Sequence, residues 1–156
     1  MASNKKRVAL IGKISSGKTT LKQCLSKEEM KYAKTQMVSY FDDFIDTPGE
    51  FIELPFLSRQ ALNIACDAGL LILLVSSIDT QNSVPPNFVH TLNIPSIGVV
   101  TKIDLKEGNI RRSRNFLNYA GINPKKIYEI SSKTGEGIEA LEEVIHSYMD
   151  SIRKVK

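Results

Sequence analysis

Metal-binding and redox-active side chains are scarce in this sequence of 156 residues, which has only two cysteines and two histidines. Cys24 and Cys66 lack the spacing of metal ligands, and His90 and His146 lie far from any recognisable motif. We therefore expect neither a zinc site nor a histidine-based phosphorelay. Both cysteines fall in apolar helical surroundings, which favours buried thiols in a reducing cytoplasm over a disulfide.

Long hydrophobic runs and concentrated charge are also missing. The longest apolar run, residues 70–75, is far too short to span a bilayer, and the N-terminus has no apolar signal region. Ala2 follows Met1 where N-myristoylation needs glycine, and no cysteine stands near the C-terminus to carry a prenyl group. The net charge of +4 comes from basic residues spread along the chain. These features predict a soluble, cytoplasmic protein with no membrane anchor and no nucleic-acid partner.

Short β-branched apolar runs alternate with amphipathic stretches along the chain. The runs predict strands at 8–11, 37–41, 44–46, 70–75, 97–100 and 127–130, and the amphipathic stretches predict helices at 18–25, 57–66, 109–120 and 138–152. Such alternation is typical of a parallel α/β sheet with right-handed crossovers. The connection after residue 41 is too short for a helical crossover, so the strand at 37–41 should be antiparallel. We predict one domain, residues 1–156, with a mostly parallel six-stranded sheet and one short antiparallel edge strand.

A phosphate-binding pattern, G-x-x-x-x-G-K-S/T, occupies residues 12–19 between a predicted strand and a predicted helix. Glycines let such a loop wrap until its backbone N–H groups point at phosphate oxygens, and the helix dipole adds to the positive field. Lys18 would supply charge to the β- and γ-phosphates, and the Thr19 hydroxyl would bind Mg²⁺. The predicted nucleotide contacts in this segment are Gly12, Ser15, Ser16, Gly17, Lys18, Thr19 and Thr20.

A second motif, D-T-P-G, begins at Asp46 at the end of a predicted strand. A carboxylate in that place is suited to hold Mg²⁺ through water, and Gly49 can bring its N–H close to a γ-phosphate. A Thr35 hydroxyl that reaches Mg²⁺ only when the γ-phosphate is present would make its loop an order–disorder switch. The predicted metal ligands are Thr19, Thr35 and Asp46, and the predicted catalytic residues are Lys18, Thr35, Gly49 and Glu50.

A third group of motifs predicts which base is bound. The T-K-x-D segment at 101–104 follows a predicted strand, and Asp104 would accept hydrogen bonds from N1–H and the exocyclic amino group of guanine. Adenine presents a lone pair at N1, which would repel that carboxylate. Lys102 would lay its aliphatic stem along the base, and the S-S-K segment at 131–133 would bring a backbone N–H to guanine O6. The predicted base contacts are Thr101, Lys102, Asp104, Ser131, Ser132 and Lys133.

The phosphate-loop pattern, Thr35, D-T-P-G, T-K-x-D and S-S-K follow one another along the chain. Together they resemble the motifs of the translation-factor-related small GTPases, and the resemblance covers nearly the whole chain. Within that group, residues 34–36, 46–50 and 85–88 resemble the EutP/PduV family, the ethanolamine- and propanediol-utilisation proteins of bacteria. The resemblance implies a three-layer P-loop NTPase fold of the small GTPase type. It also implies a cytosolic protein made beside the enzymes of a bacterial microcompartment, with a shell protein or a pathway enzyme as a partner.

Three features depart from the wider GTPase pattern. Thr101 stands where asparagine usually ties the base-binding loop to the phosphate loop, and the segment from Thr35 to Asp46 is shorter than in signalling GTPases. Glu50 stands where hydrolysing enzymes usually carry a glutamine that positions water. A glutamate brings negative charge towards an anionic γ-phosphate, so we expect slow hydrolysis unless a partner completes the site.

Three functions are compatible with the sequence. The first is a switch that binds GTP and GDP with Mg²⁺ and hydrolyses GTP slowly, with ATP the less favoured nucleotide. The second is a microcompartment-associated scaffold that binds nucleotide without turning it over. The third is an ATP-dependent kinase for a small carboxylate such as acetate, which would need a cation, for instance Arg59, to hold the carboxylate beside the γ-phosphate.

Overall fold

The computed structural model describes residues 7–13, 16–17, 20–21, 24, 44–46, 68–82, 84–91 and 94–154. Within these residues, five β-strands and two α-helices are described over their whole length. The strands are β1 Arg7–Gly12, β2 Phe44–Asp46, β3 Ala68–Ser76, β4 Ser96–Thr101 and β5 Ile127–Glu129. The α-helices are α1 Ile110–Tyr119 and α2 Ile138–Lys154, and two 3₁₀ helices span Phe88–Thr91 and Pro124–Lys126.

The described strands form one parallel sheet in the order β2-β1-β3-β4-β5. Each neighbouring pair is parallel, so the carboxyl ends of all five strands lie at the same edge. The predicted parallel α/β sheet is confirmed, but the described part has five parallel strands rather than six with an antiparallel edge. The strand predicted at 37–41 lies outside the described residues, as does the helix predicted at 57–66.

Strand β3 lies at the centre of the sheet, and both of its faces are apolar. All nine of its residues are buried. Leu71, Leu73 and Val75 belong to one buried cluster, whereas Leu70 and Ile72 belong to another. A strand that is covered on both faces has a continuous run of hydrophobic residues in its sequence. The run at residues 70–75 is the pattern that predicted β3.

The two buried clusters place one helix layer on each face of the sheet. Leu117 and Ala120, from α1 and its C-terminal end, pack in the cluster on one face. Leu141 and Met149 of α2 pack in the cluster on the other face, together with Leu21 from the helical segment after β1. The predicted three-layer architecture is therefore present in the described residues.

The helices α1 and α2 begin and end within a few residues of the predicted bounds 109–120 and 138–152. Asn109 caps α1, since its side-chain oxygen accepts a hydrogen bond from the Arg112 N–H at 3.0 Å, and Gly121 follows the helix with φ +107°. The helix predicted to end at residue 152 continues to Lys154. Among the described helices, none has the length and apolar character needed to cross a membrane.

The cysteine prediction is only partly supported. Cys24 forms no disulfide, but its side chain is partly rather than fully buried, because it lies at the margin of the cluster that contains Leu21. Cys66 lies outside the described residues.

Gly137→Ala should lower the free energy of unfolding more than Gly135→Ala does. Both glycines have positive φ, +78° and +87°, so either alanine carries a left-handed penalty of roughly 1–2 kcal/mol. A Cβ on Gly137 would also overlap the backbone carbonyl oxygen of Glu129, whereas no atom of the described residues lies within 4 Å of a Cβ on Gly135. Urea unfolding of the two variants measures the difference. Equal losses would show that the carbonyl contact relaxes without cost.

Candidate functional site

The predicted nucleotide-binding motifs meet at the carboxyl edge of the sheet. Gly12 ends β1, Asp46 ends β2 and Thr101 ends β4. On the intervening strand β3, Gly12 is paired with Leu74 and Thr101 with Ser76. Because the strands are parallel, the loops after β1 and β4 leave the same edge of the sheet, one on each side of β3. Open α/β sheets bind their ligands at this edge.

Part of the predicted site lies outside the described residues. Asp46 is described in its backbone, which pairs with Leu10 of β1. The roles of the other predicted Mg²⁺ ligands and of the catalytic residues stay predictions. In the described part of the chain, no group of three or more His, Cys, Asp or Glu side chains could hold a metal ion. The predicted site residues outside the described ranges are Ser15, Lys18, Thr19, Thr35, Gly49 and Glu50.

The described part of the phosphate loop has a tight backbone. The Ser16 N–H donates to the Lys13 carbonyl at 3.0 Å, and the Leu21 N–H donates to the Gly17 carbonyl at 2.8 Å in the first helical turn. Gly17 has φ +102°, a conformation that residues with a side chain rarely adopt. Thr20, predicted to contact nucleotide, is exposed at the start of this helical segment.

Gly12 and Ser16 pack against each other where the loop leaves the sheet. A Cβ on Gly12 would lie 2.5 Å from the Ser16 Oγ and 3.0 Å from the Leu74 carbonyl oxygen, so this position needs glycine. The Ser16 residue is 1% exposed, and its hydroxyl has no hydrogen-bond partner among the described residues. The Ser16 hydroxyl is thus buried against Gly12, and the predicted nucleotide contact of Ser16 stays a prediction.

A buried hydrogen bond joins the phosphate loop to the predicted base-binding loop. The Thr101 hydroxyl donates to the Ser16 carbonyl at 2.6 Å, and both residues are buried. The neighbouring Gly17 also lies against Thr101, since a Cβ at Gly17 would be 3.5 Å from the Thr101 Oγ1. Asparagine is the usual residue for such a tie, but here the threonine hydroxyl makes it.

Lys102 follows Thr101 in a strained backbone conformation. Its φ of +60° lies in the left-handed region, which costs a residue with a side chain roughly 1–2 kcal/mol. The Lys102 carbonyl accepts hydrogen bonds from the Ser77 hydroxyl at 2.7 Å and from the Leu105 N–H at 3.2 Å. These contacts turn the chain sharply after β4.

Asp104 is oriented by a serine that follows β5. The Ser131 hydroxyl donates to the Asp104 Oδ1 at 2.8 Å, and Ser131 is fully buried whereas Asp104 is half-buried. The Ile103 N–H donates to the Ile130 carbonyl at 3.2 Å, which holds the two segments together from the backbone. The carboxylate is thus fixed at the edge of the sheet with part of its surface open to a ligand.

The Ser131 prediction needs a correction. We expected the S-S-K segment to offer a backbone N–H to guanine, but the Ser131 N–H donates to the Glu136 carbonyl at 2.9 Å. No described residue accepts a hydrogen bond from the N–H of Ser132 or Lys133, so these two amides are the ones open to a base. An acidic acceptor at Asp104 and amide donors beside it match the hydrogen-bonding edge of guanine.

One residue of this region was missed by the sequence analysis. Ser77 directly follows β3, is fully buried and bonds to Lys102. A polar residue at the carboxyl end of an otherwise apolar strand was the signal that could have identified it.

Comparisons with known proteins agree with the motifs. Residues 5–147 match the protein family described as "Ethanolamine utilisation - propanediol utilisation". The chain is 34% identical to the propanediol utilization protein PduV of Citrobacter freundii over 137 residues, which cover 87% of this chain and 90% of that protein. It is 26% identical over 144 residues to a protein of Escherichia coli (strain K12) named "Probable acetate kinase EutP", covering 91% of this chain and 90% of that protein.

The fold is similar to that of the apo form of translation elongation factor SelB from Methanococcus maripaludis, with a TM-score of 0.64 and 23% sequence identity. The match covers 93% of this chain and 33% of that one. At this level of identity the likeness shows the fold alone, which is the P-loop GTPase-like α/β fold. By its sequence, the chain belongs to the ethanolamine- and propanediol-utilisation family that includes PduV and EutP.

Proposed function

We propose that this protein binds GTP and GDP with Mg²⁺ as a single domain and hydrolyses GTP slowly, as a cytoplasmic switch in bacterial ethanolamine or propanediol utilisation. The observation that carries the proposal is the 2.6 Å hydrogen bond from the Thr101 hydroxyl to the Ser16 carbonyl. It joins a loop with the phosphate-binding pattern to a loop with the guanine-binding pattern. A bond between these two loops would hold both in place for a ligand that spans them.

The phosphate side of the proposal rests on the loop after β1. Lys18 would neutralise charge on the β- and γ-phosphates, while the backbone N–H groups of the loop would bind their oxygens. Mg²⁺ would be held by Thr19, Thr35 and, through water, Asp46, and it would supply charge neutralisation for the phosphates.

The base side of the proposal rests on Asp104. Its carboxylate, held by the Ser131 hydroxyl, would accept hydrogen bonds from guanine N1–H and the exocyclic amino group. The N–H groups of Ser132 and Lys133 would donate to guanine O6. Adenine would place the lone pair of N1 beside the Asp104 carboxylate and its amino group beside the N–H groups of Ser132 and Lys133. Both contacts would be repulsive, so ATP should bind more weakly.

Hydrolysis should be slow because of the residue that follows Gly49. Glu50 would bring a negative charge beside the γ-phosphate, while most of the catalysis in phosphoryl transfer comes from positioning and charge neutralisation. We propose that Glu50 modulates this region and that a shell protein or pathway enzyme of a microcompartment completes the site.

A second candidate is a kinase for a small carboxylate, favoured by the name of the E. coli relative, which is 26% identical. A carboxylate is already a nucleophile, so its oxygen can attack the γ-phosphorus without a general base, releasing the nucleoside diphosphate and an acyl phosphate. Arg59 would hold the carboxylate in place. Such a reaction would use the same phosphate loop with a different acceptor.

Product analysis tests the proposed function. With Mg²⁺ and GTP alone, the purified protein should release inorganic phosphate slowly, and Lys18→Ala should abolish both nucleotide binding and release. Lys125→Ala, which removes one exposed charge near the opposite edge of the sheet, should leave both unchanged. Acyl phosphate formed only when acetate is added would favour the kinase, and tight binding with no product would favour the scaffold.

Asp104→Asn should weaken GDP binding by about tenfold or more, because each lost charge-assisted hydrogen bond is worth about 1.5–3 kcal/mol. The asparagine amide can instead donate to the C2 carbonyl of xanthine, so the variant should prefer xanthosine diphosphate to GDP. Competition binding measures both affinities, with Asp150→Asn on the exposed side of α2 as the control. Parental preference for GDP in Asp104→Asn would rule out this carboxylate as the base selector.

Thr101→Val should weaken the binding of GDP and GTP by about tenfold, because it keeps the side-chain shape but leaves the buried Ser16 carbonyl without its donor, at about 1–3 kcal/mol. Thr101→Ser keeps the hydroxyl and should bind nearly as the parent does. Isothermal titration with Mg²⁺ present provides the measurement. Equal binding by the valine and serine variants would mean that the tie between the loops does not support nucleotide binding.

A further inference from the structure

Ser77 directs every one of its polar groups to the end of β4 or to the segment that joins β4 to α1. Its N–H donates to the Thr101 carbonyl at 2.9 Å, and its hydroxyl donates to the Lys102 carbonyl at 2.7 Å. Its own carbonyl accepts a hydrogen bond from the Asn109 N–H at 2.7 Å. Ser77 therefore bonds to both ends of the predicted base-binding loop, although it is itself fully buried and cannot touch a ligand.

The hydroxyl bond acts where the loop is strained. Lys102 has φ +60°, and its carbonyl accepts from Ser77 before the chain continues to Asp104. The backbone angles of Lys102 decide where the next residues point, so a relaxation of this turn would move the Asp104 carboxylate. The Ser131 hydroxyl holds that carboxylate from the other side.

The neighbouring Gly108 leaves room for the Ser77 hydroxyl. A Cβ on Gly108 would overlap the Ser77 Oγ and lie 2.9 Å from the Ser77 Cβ. Gly108 does not have the positive φ that makes glycine necessary at Gly137, so the space itself explains a glycine here. Ser77, which follows β3, and Gly108, which precedes α1, are therefore matched in size: the absence of a side chain at Gly108 leaves the space that the Ser77 side chain fills.

We propose that Ser77 is a positioning residue for base recognition, which holds Lys102 in its left-handed conformation so that Asp104 meets the base edge of a guanine nucleotide. The inference rests on the proposed guanine nucleotide binding. Ser77 acts through Lys102 and contributes no contact to the nucleotide itself.

Competition binding of GDP, inosine diphosphate and ADP to the full chain with Mg²⁺ tests this role. Inosine keeps the N1–H of guanine but lacks the exocyclic amino group, so the ratio of GDP to inosine diphosphate affinity reports how well Asp104 is placed. Ser77→Ala should lower the GDP affinity by about tenfold and reduce this ratio at least threefold. The proposed guanine nucleotide binding is tested by the unsubstituted protein alone. If that protein binds ADP as tightly as GDP, both the proposed function and this inference are overturned.

Ser113→Ala is the matched control. Ser113 is also fully buried, and its hydroxyl donates to a backbone carbonyl, that of Ser76, at 2.9 Å. Its loss should lower the melting temperature as Ser77→Ala does, but leave the ratio of GDP to inosine diphosphate affinity unchanged. If Ser77→Ala and Ser113→Ala change the ratio of GDP to inosine diphosphate affinity equally, Ser77 has only a general structural role and the inference is overturned.

Gly108→Ala provides a second, independent route to the same loop, in case Ser77→Ala folds poorly. The added methyl should displace the Ser77 hydroxyl and reduce the ratio in the same direction. In the double variant Ser77→Ala/Gly108→Ala the two effects should combine to less than their sum, because the hydroxyl is already gone. A parental ratio in both single variants, with a parent that prefers GDP, would overturn the inference and leave the proposed function standing.

Discussion

The burial of strand β3 on both faces is the constraint on which the rest of the described structure depends. Its side chains alternate between the cluster under α1 and the cluster under α2, and its backbone pairs with β1 on one side and with β4 on the other. Parallel pairing then fixes where β1 and β4 end: Gly12 stands opposite Leu74, and Thr101 stands opposite Ser76, two residues further along. The closeness of the phosphate loop and the base-binding loop is therefore a consequence of core packing.

Once the two loops are close, buried polar contacts couple them. The bond from Thr101 to Ser16 is buried, so breaking it leaves the Ser16 carbonyl without its donor, which costs more than the bond contributes in net free energy when formed. The bond from Ser77 to Lys102 is partly buried, and the Lys102 carbonyl keeps the Leu105 N–H as a donor when the Ser77 bond is lost. The bond from Thr101 to Ser16 joins the two halves of the candidate site, so in the proposed function a change at Thr101 would affect phosphate binding and base binding together.

The sequence predicts the described strands and helices because burial leaves local patterns, such as the continuous apolar run of β3 and the amphipathic spacing of α1. It does not predict the hydrogen bonds between loops, because Thr101 and Ser16 are 85 positions apart and no local pattern pairs them. The sequence shows only that Thr101 replaces the usual asparagine, and the fold shows that its hydroxyl makes the bond to Ser16. The role of Ser131 was misassigned for a similar reason: its N–H is used within its own turn, and only the fold shows that Glu136 accepts it.

In the proposed function, holding the nucleotide and choosing the phosphate acceptor depend on different parts of the chain. The contacts described around Thr101 and Asp104 lie at the base and at the root of the phosphate loop, whereas Thr35 and Glu50, predicted to face the γ-phosphate, flank β2. Phosphoryl transfer relies mostly on positioning and charge neutralisation, so changing the acceptor from water to a carboxylate requires only a new group beside the γ-phosphate. A GTPase-like fold and a relative named as a probable acetate kinase are thus compatible within one family, and nucleotide affinity alone cannot distinguish the two activities.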